Sequence, residues 1–441
     1  MASHDISRVV LGGGISGLLA ARRAARLDES ITLISETIGG QIQSEKIAGV
    51  PIDVGAEAFS IASPEVLELV RELGLEGRIV MPIPEPARII TNRGTKILPS
   101  GFFGIPADLD DPALQAYFEP EEIAEAKHRD SLPFGSYPSV EDLIVCRLGR
   151  PFLDQLVEPV MYGVHGSSAK SLSSDLVLPA LMTAARRLGS LTKAVSTLHT
   201  IEAAPGSRVR SIRGGMTQLI EALVRSLPPH VQILNAPVTS ISRRDGFWQV
   251  KAGDEVFSAI HLTAAVPAHA LSTLFFEQPS IAGAASEINQ VSVDVVLVHV
   301  KSAELDKKPL GPGALVSSSA GYRAKATTHV NAKWQWIDDL LPPEEHIIRL
   351  SVGRDGDVTD LGDLSWVESE VAKLYGCSVE VIETFVQRWD RAMVQPDSKA
   401  IGRLKYAAEA YEAEGLELAS GFTAGNGILA IVRDNIKRER K

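Results

Sequence analysis

Val9-Val10-Leu11-Gly12-Gly13-Gly14-Ile15-Ser16-Gly17-Leu18-Leu19-Ala20-Ala21 is the stretch whose reading decides the fold. Three β-prone apolar residues feed a glycine turn, and an Ala/Leu/Arg-rich helix follows. Gly12, Gly14 and Gly17 have the G-x-G-x-x-G spacing of a dinucleotide site. Gly12 suits the tight turn, Gly14 lets a pyrophosphate approach the backbone, and Gly17 lets the helix pack close to the strand. The helix start at Ile15-Ser16 offers N–H groups and a partial positive charge to the phosphates. A second strand, Ile31-Thr32-Leu33-Ile34-Ser35, ends at Glu36. That puts a carboxylate about 20 residues past the glycines, in reach of a ribose hydroxyl.

Gly39-Gly40-Gln41-Ile42 follows this acid directly, and Asp53-Val54-Gly55-Ala56-Glu57 comes one short hairpin later. A nicotinamide dinucleotide does not need the second glycine pair. FAD held in the manner of the amine oxidases does, because the longer cofactor continues past the pyrophosphate towards its flavin. A third glycine segment, Gly425-Asn426-Gly427-Ile428, lies at the far end of the chain. FAD is therefore the expected cofactor, held non-covalently.

The chain has 441 residues, 45% hydrophobic and 22% charged, enough for two or three domains with a large core. A net charge of -11 argues against a general nucleic-acid role. Cys146 and Cys377 are the only cysteines and form no C-x-x-C, so they read as reduced, packed residues of a cytosolic protein. The first strand starts near Arg8, which leaves no room for a signal peptide. No apolar run approaches about 18 residues, so no transmembrane helix is expected. Val291–Val300 reads as a buried strand.

The pattern predicts an α/β fold. A Rossmann-like FAD-binding domain of the amine oxidase/glutathione reductase type is assembled from residues 1–58, 206–268 and 398–441. An inserted α+β substrate domain covers 78–100 and 269–397, and a helical subdomain covers 101–205. Within these, Ile89–Leu98 reads as a hairpin turning at Arg93-Gly94, and 100–138 as a loop-rich acidic stretch. Ser139-Val140-Glu141-Asp142 reads as a capping box, and Pro159 and Gly163 as interruptions of a helical region. No serine triad, carboxylate pair or metal-ligand spacing is present.

The chain resembles the FAD-dependent protoporphyrinogen and coproporphyrinogen oxidases, especially their actinobacterial branch, over nearly its whole length. The resemblance rests on the glycine motifs above, on Leu98-Pro99-Ser100-Gly101, on Gly214-Gly215-Met216 and on Arg388-Trp389. Two segments carry it more specifically: Leu156-Val157-Glu158-Pro159-Val160 with Gly163-Val164-His165, and Thr327-Thr328-His329 with Ala332-Lys333-Trp334. The chain departs from that pattern at Gln41, where relatives carry a basic residue, at Ile61-Ala62-Ser63, and at Leu429-Ala430-Ile431.

The resemblance implies oxidation of coproporphyrinogen III to coproporphyrin III, with O2 as acceptor and H2O2 as by-product, in haem biosynthesis in the cytoplasm. Hydride leaves a saturated bridge carbon towards the flavin, so the protein's task is positioning and exclusion. Gly163 matches a family glycine beside the macrocycle. His165 and His329 stand where relatives have aromatics and are the other candidate catalytic positions. Val238, at the start of an expected strand, completes the cofactor contacts. Arg186, Arg187, Lys193, Arg208, Arg210 and Arg213 face one acid, Glu202, and could meet four propionates. Arg88, Arg93 and Lys325 are secondary propionate candidates, and Trp334 and Trp389 read as core. A transient contact with the enzyme that takes the porphyrin next is also implied. Three alternatives stay open: a protoporphyrinogen oxidase, another FAD amine oxidase or desaturase, and a flavin-free binding protein of the GDP-dissociation-inhibitor type.

Overall fold

The computed structural model describes residues 3–27, 30–198, 209–354, 360–395 and 397–440. Strand Ser3–Gly14 lies parallel between Ile31–Gly39 and Glu255–Ala264, and Val231–Asn235 extends the sheet outward. Leu416–Leu418 adds in parallel to the end of Glu255–Ala264, whose first half pairs antiparallel with Phe247–Ala252. The central strands are apolar on both faces, as a covered parallel sheet requires. Val10, Ile31 and Leu33 pack with the helices Ile15–Ala24, Thr217–Arg225 and Ile428–Glu439. Val9, Leu11 and Ile34 pack on the opposite side with Leu271, Ile281 and Leu404. Each such aliphatic contributes about 1.5–3 kcal/mol on burial, which joins segments from the start, middle and end of the chain.

The last helix is locked beside the first by one carboxylate. Glu417 accepts from Arg23, from Arg438 at 3.0 Å and from Thr263 at 3.1 Å. Burial would raise this carboxyl, but the Arg23 and Arg438 charges outweigh it and hold it below the usual carboxylate range. The lock fastens the C-terminal turns of Ile15–Ala24 and Ile428–Glu439 to Glu417 in the parallel sheet.

A second seven-stranded sheet runs in the order Glu380–Val394, Gln290–Lys301, Glu345–Val352, Ala324–His329, Gly313–Val316, Arg88–Thr91, Gly94–Ile97. Only Gly313–Val316 with Arg88–Thr91 is parallel. Val296, Val298 and Leu350 pack under helix Val367–Tyr375, while Val295 and Leu297 face the other way with Trp334 and Ile347. The hairpin turns at Asn92-Arg93, so Gly94 opens the return strand and is not part of the turn.

The third region is helical, with Leu143, Phe152, Leu156, Met161, Leu181 and Val195 in one core. Ser139 caps helix Val140–Arg147: its hydroxyl accepts from Asp142 N at 3.0 Å, and Asp142 accepts from Ser139 N at 3.2 Å. Two readings of this region need correction. The 100–138 stretch is not mainly loop: Leu114, Tyr117 and Phe118 are buried, and Pro120–Ser131 is a helix with its own capping box from Glu119 and Glu122. Nor does Gly163 break a helix, since Glu158–His165 runs through it and ends at Gly166, in the left-handed region at φ +68°. Pro159 lacks an N–H, and the backbone accommodates it with a π turn over Leu153–Val157. Cys146 is exposed rather than packed, Cys377 is half-buried, and both are free thiols.

Candidate active site

The glycine turn has the geometry its spacing predicts. Gly12 sits at φ +102°, where an ideal Cβ would lie 2.5 Å from the Ala265 carbonyl oxygen. A Cβ at Gly17 would drive into the Gly12 carbonyl, so helix and strand touch backbone to backbone. Gly14 is different: a Cβ there would meet only the Gly40 Cα, at 3.7 Å. Gly14 and Gly427 are the N-caps of their helices, and neither helix has a side-chain cap. Two helix N-termini with uncapped N–H groups and open glycine approaches suit a pyrophosphate-bearing cofactor. Ile15 and Ile428 are buried and anchor the two helix starts, while Ser16 is half-buried at the first turn.

Glu36 lies within the second strand, which continues to Gly39 instead of ending there. Pairing jumps from Leu11↔Ile34 to Gly13↔Ile38, so residues 35–37 bulge out and Glu36 is exposed beside the glycine turn. Ser35 Oγ closes the bulge on Thr37 O at 2.8 Å. Val238 starts strand Val238–Arg244, three residues after Asn235 at the end of the strand paired with Ile31–Ser35.

The second glycine motif continues from the first. Gly40 abuts Gly14, Ala56 N donates to Gln41 O at 3.1 Å, and a Cβ at Gly55 would strike that same Gln41 carbonyl. The loop 53–57 is then braced from the second sheet and from helix Val330–Lys333. Trp389 Nε1 donates to Val54 O at 2.8 Å, Arg349 Nη2 donates to Gly55 O at 3.0 Å, and Glu57 pairs with Lys333. Burial would raise the Glu57 carboxyl, but Lys333 and Arg349 hold it below the usual range. Gln41 reaches Ala392 O at 2.7 Å, and Asn426 reaches Val394 O at 2.8 Å. The end of strand Glu380–Val394 therefore touches all three later candidate cofactor segments. Arg349 and this strand end were missed in the sequence, and Trp389, read as core, is one of the braces.

Asp53 ties the loop to the Gly214-Gly215-Met216 turn, accepting from Met216 N at 2.9 Å and Ser44 Oγ at 2.7 Å. Burial nevertheless raises its pKa from 3.8 to about 6. A carboxyl raised on folding favours the fold in its protonated form. That contribution is complete below about 3.8 and is lost as pH rises through about 6. Wild-type protein should therefore lose stability relative to Asp53→Asn between about pH 4 and 6. Urea midpoints of the two proteins across that window check this, and parallel profiles contradict it.

The candidate substrate face lies between this loop and the Gly163 helix. Leu315, Ala326, Ser351 and Val295 form one cross-strand row. Gly163 is exposed above Leu315, and a Cβ there would lie 2.6 Å from Leu315 Cδ2. The helix ends with Gly166 N donating to Tyr162 O at 3.0 Å, which leaves the Gly163 carbonyl beyond the last helical bond. His165 stacks on Phe103 with centroids 5.8 Å apart. Burial pushes its pKa down, and its Nε2 is buried with no partner among the described residues.

Other candidate residues stand elsewhere. His329 is fully buried, with its Nε2 3.0 Å from His346 Nδ1 and its ring against Tyr375. Burial, then the neighbouring His346, lowers it to about 3, so it is a neutral core residue and not a cleft group. Lys325 is 2% exposed and donates to Gly353 O at 2.7 Å, so it too is withdrawn from any open face. Arg93 is engaged by Glu122 and Tyr117 O. Arg88 is half-buried in the second sheet. Arg186 pairs with Asp175 at 2.7 Å, while Arg187 and Lys193 are exposed on neighbouring helices of the helical region. Arg210 lies in strand Val209–Ile212, opposite Phe59, and Arg213 is exposed at its end. Arg208 and Glu202 lie outside the described residues. No group of three or more metal-ligating side chains occurs among the described residues, and none of their helices is long and apolar enough to cross a membrane.

A Rossmann-type sheet with glycine turns at two helix starts, braced by a second sheet, fits a flavin-dependent oxidoreductase. The chain belongs to the flavin containing amine oxidoreductase family, matched over residues 15–411, and its cofactor is FAD. It is 34% identical to a coproporphyrinogen III oxidase of Mycobacterium leprae over 411 residues, 88% of each chain. It is 30% identical to human protoporphyrinogen oxidase over 343 residues, 70% of each chain. Its fold matches a provisionally assigned protoporphyrinogen oxidase from Exiguobacterium with a TM-score of 0.84 at 24% identity, covering 100% and 98% of the two chains.

Proposed function

We propose that this protein oxidises coproporphyrinogen III to coproporphyrin III in cytoplasmic haem biosynthesis. O2 is the final acceptor and H2O2 the by-product. The observation that carries the reading is the 34% identity to a coproporphyrinogen III oxidase across 88% of both chains. The geometry suits it. FAD, held by the Gly14 and Gly427 helix starts, would supply the hydride acceptor, with O2 as the terminal oxidant. Gly163 leaves room for a flat macrocycle beside Leu315, and its free carbonyl at the negative end of the helix can accept a pyrrole N–H. His165, two residues along the same helix, is kept neutral by burial and stacks on Phe103. The test is an anaerobic incubation with coproporphyrinogen III or protoporphyrinogen IX, followed by air. Porphyrin fluorescence from coproporphyrinogen is expected; fluorescence from protoporphyrinogen alone sinks the reading.

Arg187 and Lys193 are the propionate contacts we propose to test first. An exposed ion pair contributes about 0–1 kcal/mol, whereas a partly desolvated Arg–carboxylate contact contributes about 1.5–3 kcal/mol. Arg187→Glu should raise KM for coproporphyrinogen several-fold and change kcat less, because propionates lie away from the reacting carbon. An unchanged KM in Arg187→Glu and Lys193→Glu alike would remove both from the site.

A further inference from the structure

The second sheet carries a half-buried cation with incomplete hydrogen bonding, turned towards the 53–57 loop. Arg349 lies in strand Glu345–Val352, between Ile348 and Leu350. Those two neighbours pack in the core under helix Val367–Tyr375, so strand alternation turns Arg349 to the opposite face. Its Nη2 donates to Gly55 O at 3.0 Å, but its Nε is buried with no hydrogen-bond partner among the described residues. A buried guanidinium N–H without an acceptor is costly, and the usual resolution is a partner that arrives with a ligand.

The surrounding charges narrow what that ligand is. Glu57 pairs with Lys333, and the Asp53 carboxylate is turned to Met216 N and Ser44. Each carboxylate already has its own donors, so neither occupies the Arg349 Nε. Arg349 also fixes the very loop that follows from the Gly14–Gly40 contact, along the path the extended cofactor must take.

We propose that Arg349 donates its free Nε–H to an acceptor atom of the isoalloxazine and, with Glu57 and Lys333, sets the reduction potential of the flavin. Reduction adds negative charge to that ring system. A cation beside it favours the reduced form, and a carboxylate beside it favours the oxidised form. The inference rests on FAD alone and is read without substrate, so a failed porphyrinogen assay leaves it standing.

The test is the midpoint potential and FAD content of the purified holoprotein and three variants. Arg349→Met should favour oxidised flavin at least tenfold, a shift of about 30 mV to lower potential for the two-electron couple. Arg349→Lys keeps the charge and should recover most of the shift. Glu57→Gln leaves the Lys333 charge uncompensated and should move the potential upward. Both Arg349→Met and Glu57→Gln disturb the same loop, so a purely bracing role would weaken FAD binding in both. It would leave their potentials unmoved or move them the same way, and either result overturns the proposal. If Arg349→Met does not hold FAD, Arg349→Lys and Glu57→Gln decide. A raised potential in Glu57→Gln with a near wild-type value in Arg349→Lys supports the proposal, and any other pairing overturns it.

Discussion

Gly14→Val should give folded, colourless protein. The Gly14 backbone, at φ -75° and ψ 176°, is open to any residue, and a Cβ there meets only the Gly40 Cα at 3.7 Å. The apo fold therefore has little reason to change. The valine methyls instead stand at the mouth of an uncapped helix N-terminus, where the pyrophosphate must come within hydrogen-bonding distance of the backbone. A loss of at least 100-fold in FAD affinity, about 2.7 kcal/mol, is expected. Gly17→Ala is the informative contrast. Its Cβ meets the Gly12 carbonyl, which is backbone and cannot swing aside. Overpacking of this kind costs about 1–3 kcal/mol or more, so this variant should lose stability as well as cofactor. Absorbance near about 450 nm per mole of protein reads the flavin, and apo-protein melting reads the fold, since bound FAD itself raises the melting point. Stoichiometric FAD in Gly14→Val would refute the assignment of the turn.

What the sequence made legible follows from the distance over which each contact acts. The Gly12, Gly14 and Gly17 turn could be read because its spacing encodes a local backbone shape that one βαβ unit completes. The Ser139–Asp142 capping box was legible for the same reason. Helix Pro120–Ser131 was not seen, although Glu119 and Glu122 stood in capping-box positions, because Pro106, Pro112, Pro120 and Pro133 dominated the reading of 100–138. The braces of the second glycine loop lie beyond any local signal: Arg349 and Gly55 are 294 positions apart. The histidines show the same limit. His165 and His329 both sit in family-specific motifs, yet one ends a helix beside Phe103 and the other is sealed between His346 and Tyr375. Only the packing of the second sheet distinguishes them. Charge clusters in sequence are weaker still, because Arg186 and Arg210 belong to different substructures.

Asp130→Ala should unfold the helical region far more readily than any surface charge deletion, and should do so with FAD still bound. Asp130 is 4% exposed and Arg147 1% exposed, and Arg147 Nε and Nη2 each lie 3.2 Å from Asp130 Oδ1. The carboxylate also accepts from Leu191 N at 2.8 Å, Thr192 N at 3.1 Å and Ser190 Oγ at 2.6 Å, so it caps helix Leu191–Leu198. Arg147 meanwhile donates to Leu132 O at 2.8 Å and Gly189 O at 2.9 Å. The pair thus ties the ends of Pro120–Ser131, Val140–Arg147 and Pro179–Leu188 to the start of Leu191–Leu198. Removing Asp130 strands a buried guanidinium and uncaps a helix, which together cost about 3–5 kcal/mol. Asp110→Ala is the control, because its pair with Lys127 is exposed and contributes about 0–1 kcal/mol. The region that loosens carries Gly163 and Arg187 but no glycine of the FAD cradle. Flavin absorbance should therefore persist while porphyrinogen turnover falls and a second, earlier melting transition separates from the main one. If Asp130→Ala instead melts in one step at the wild-type temperature, this buried pair does not hold the substrate-side helices together.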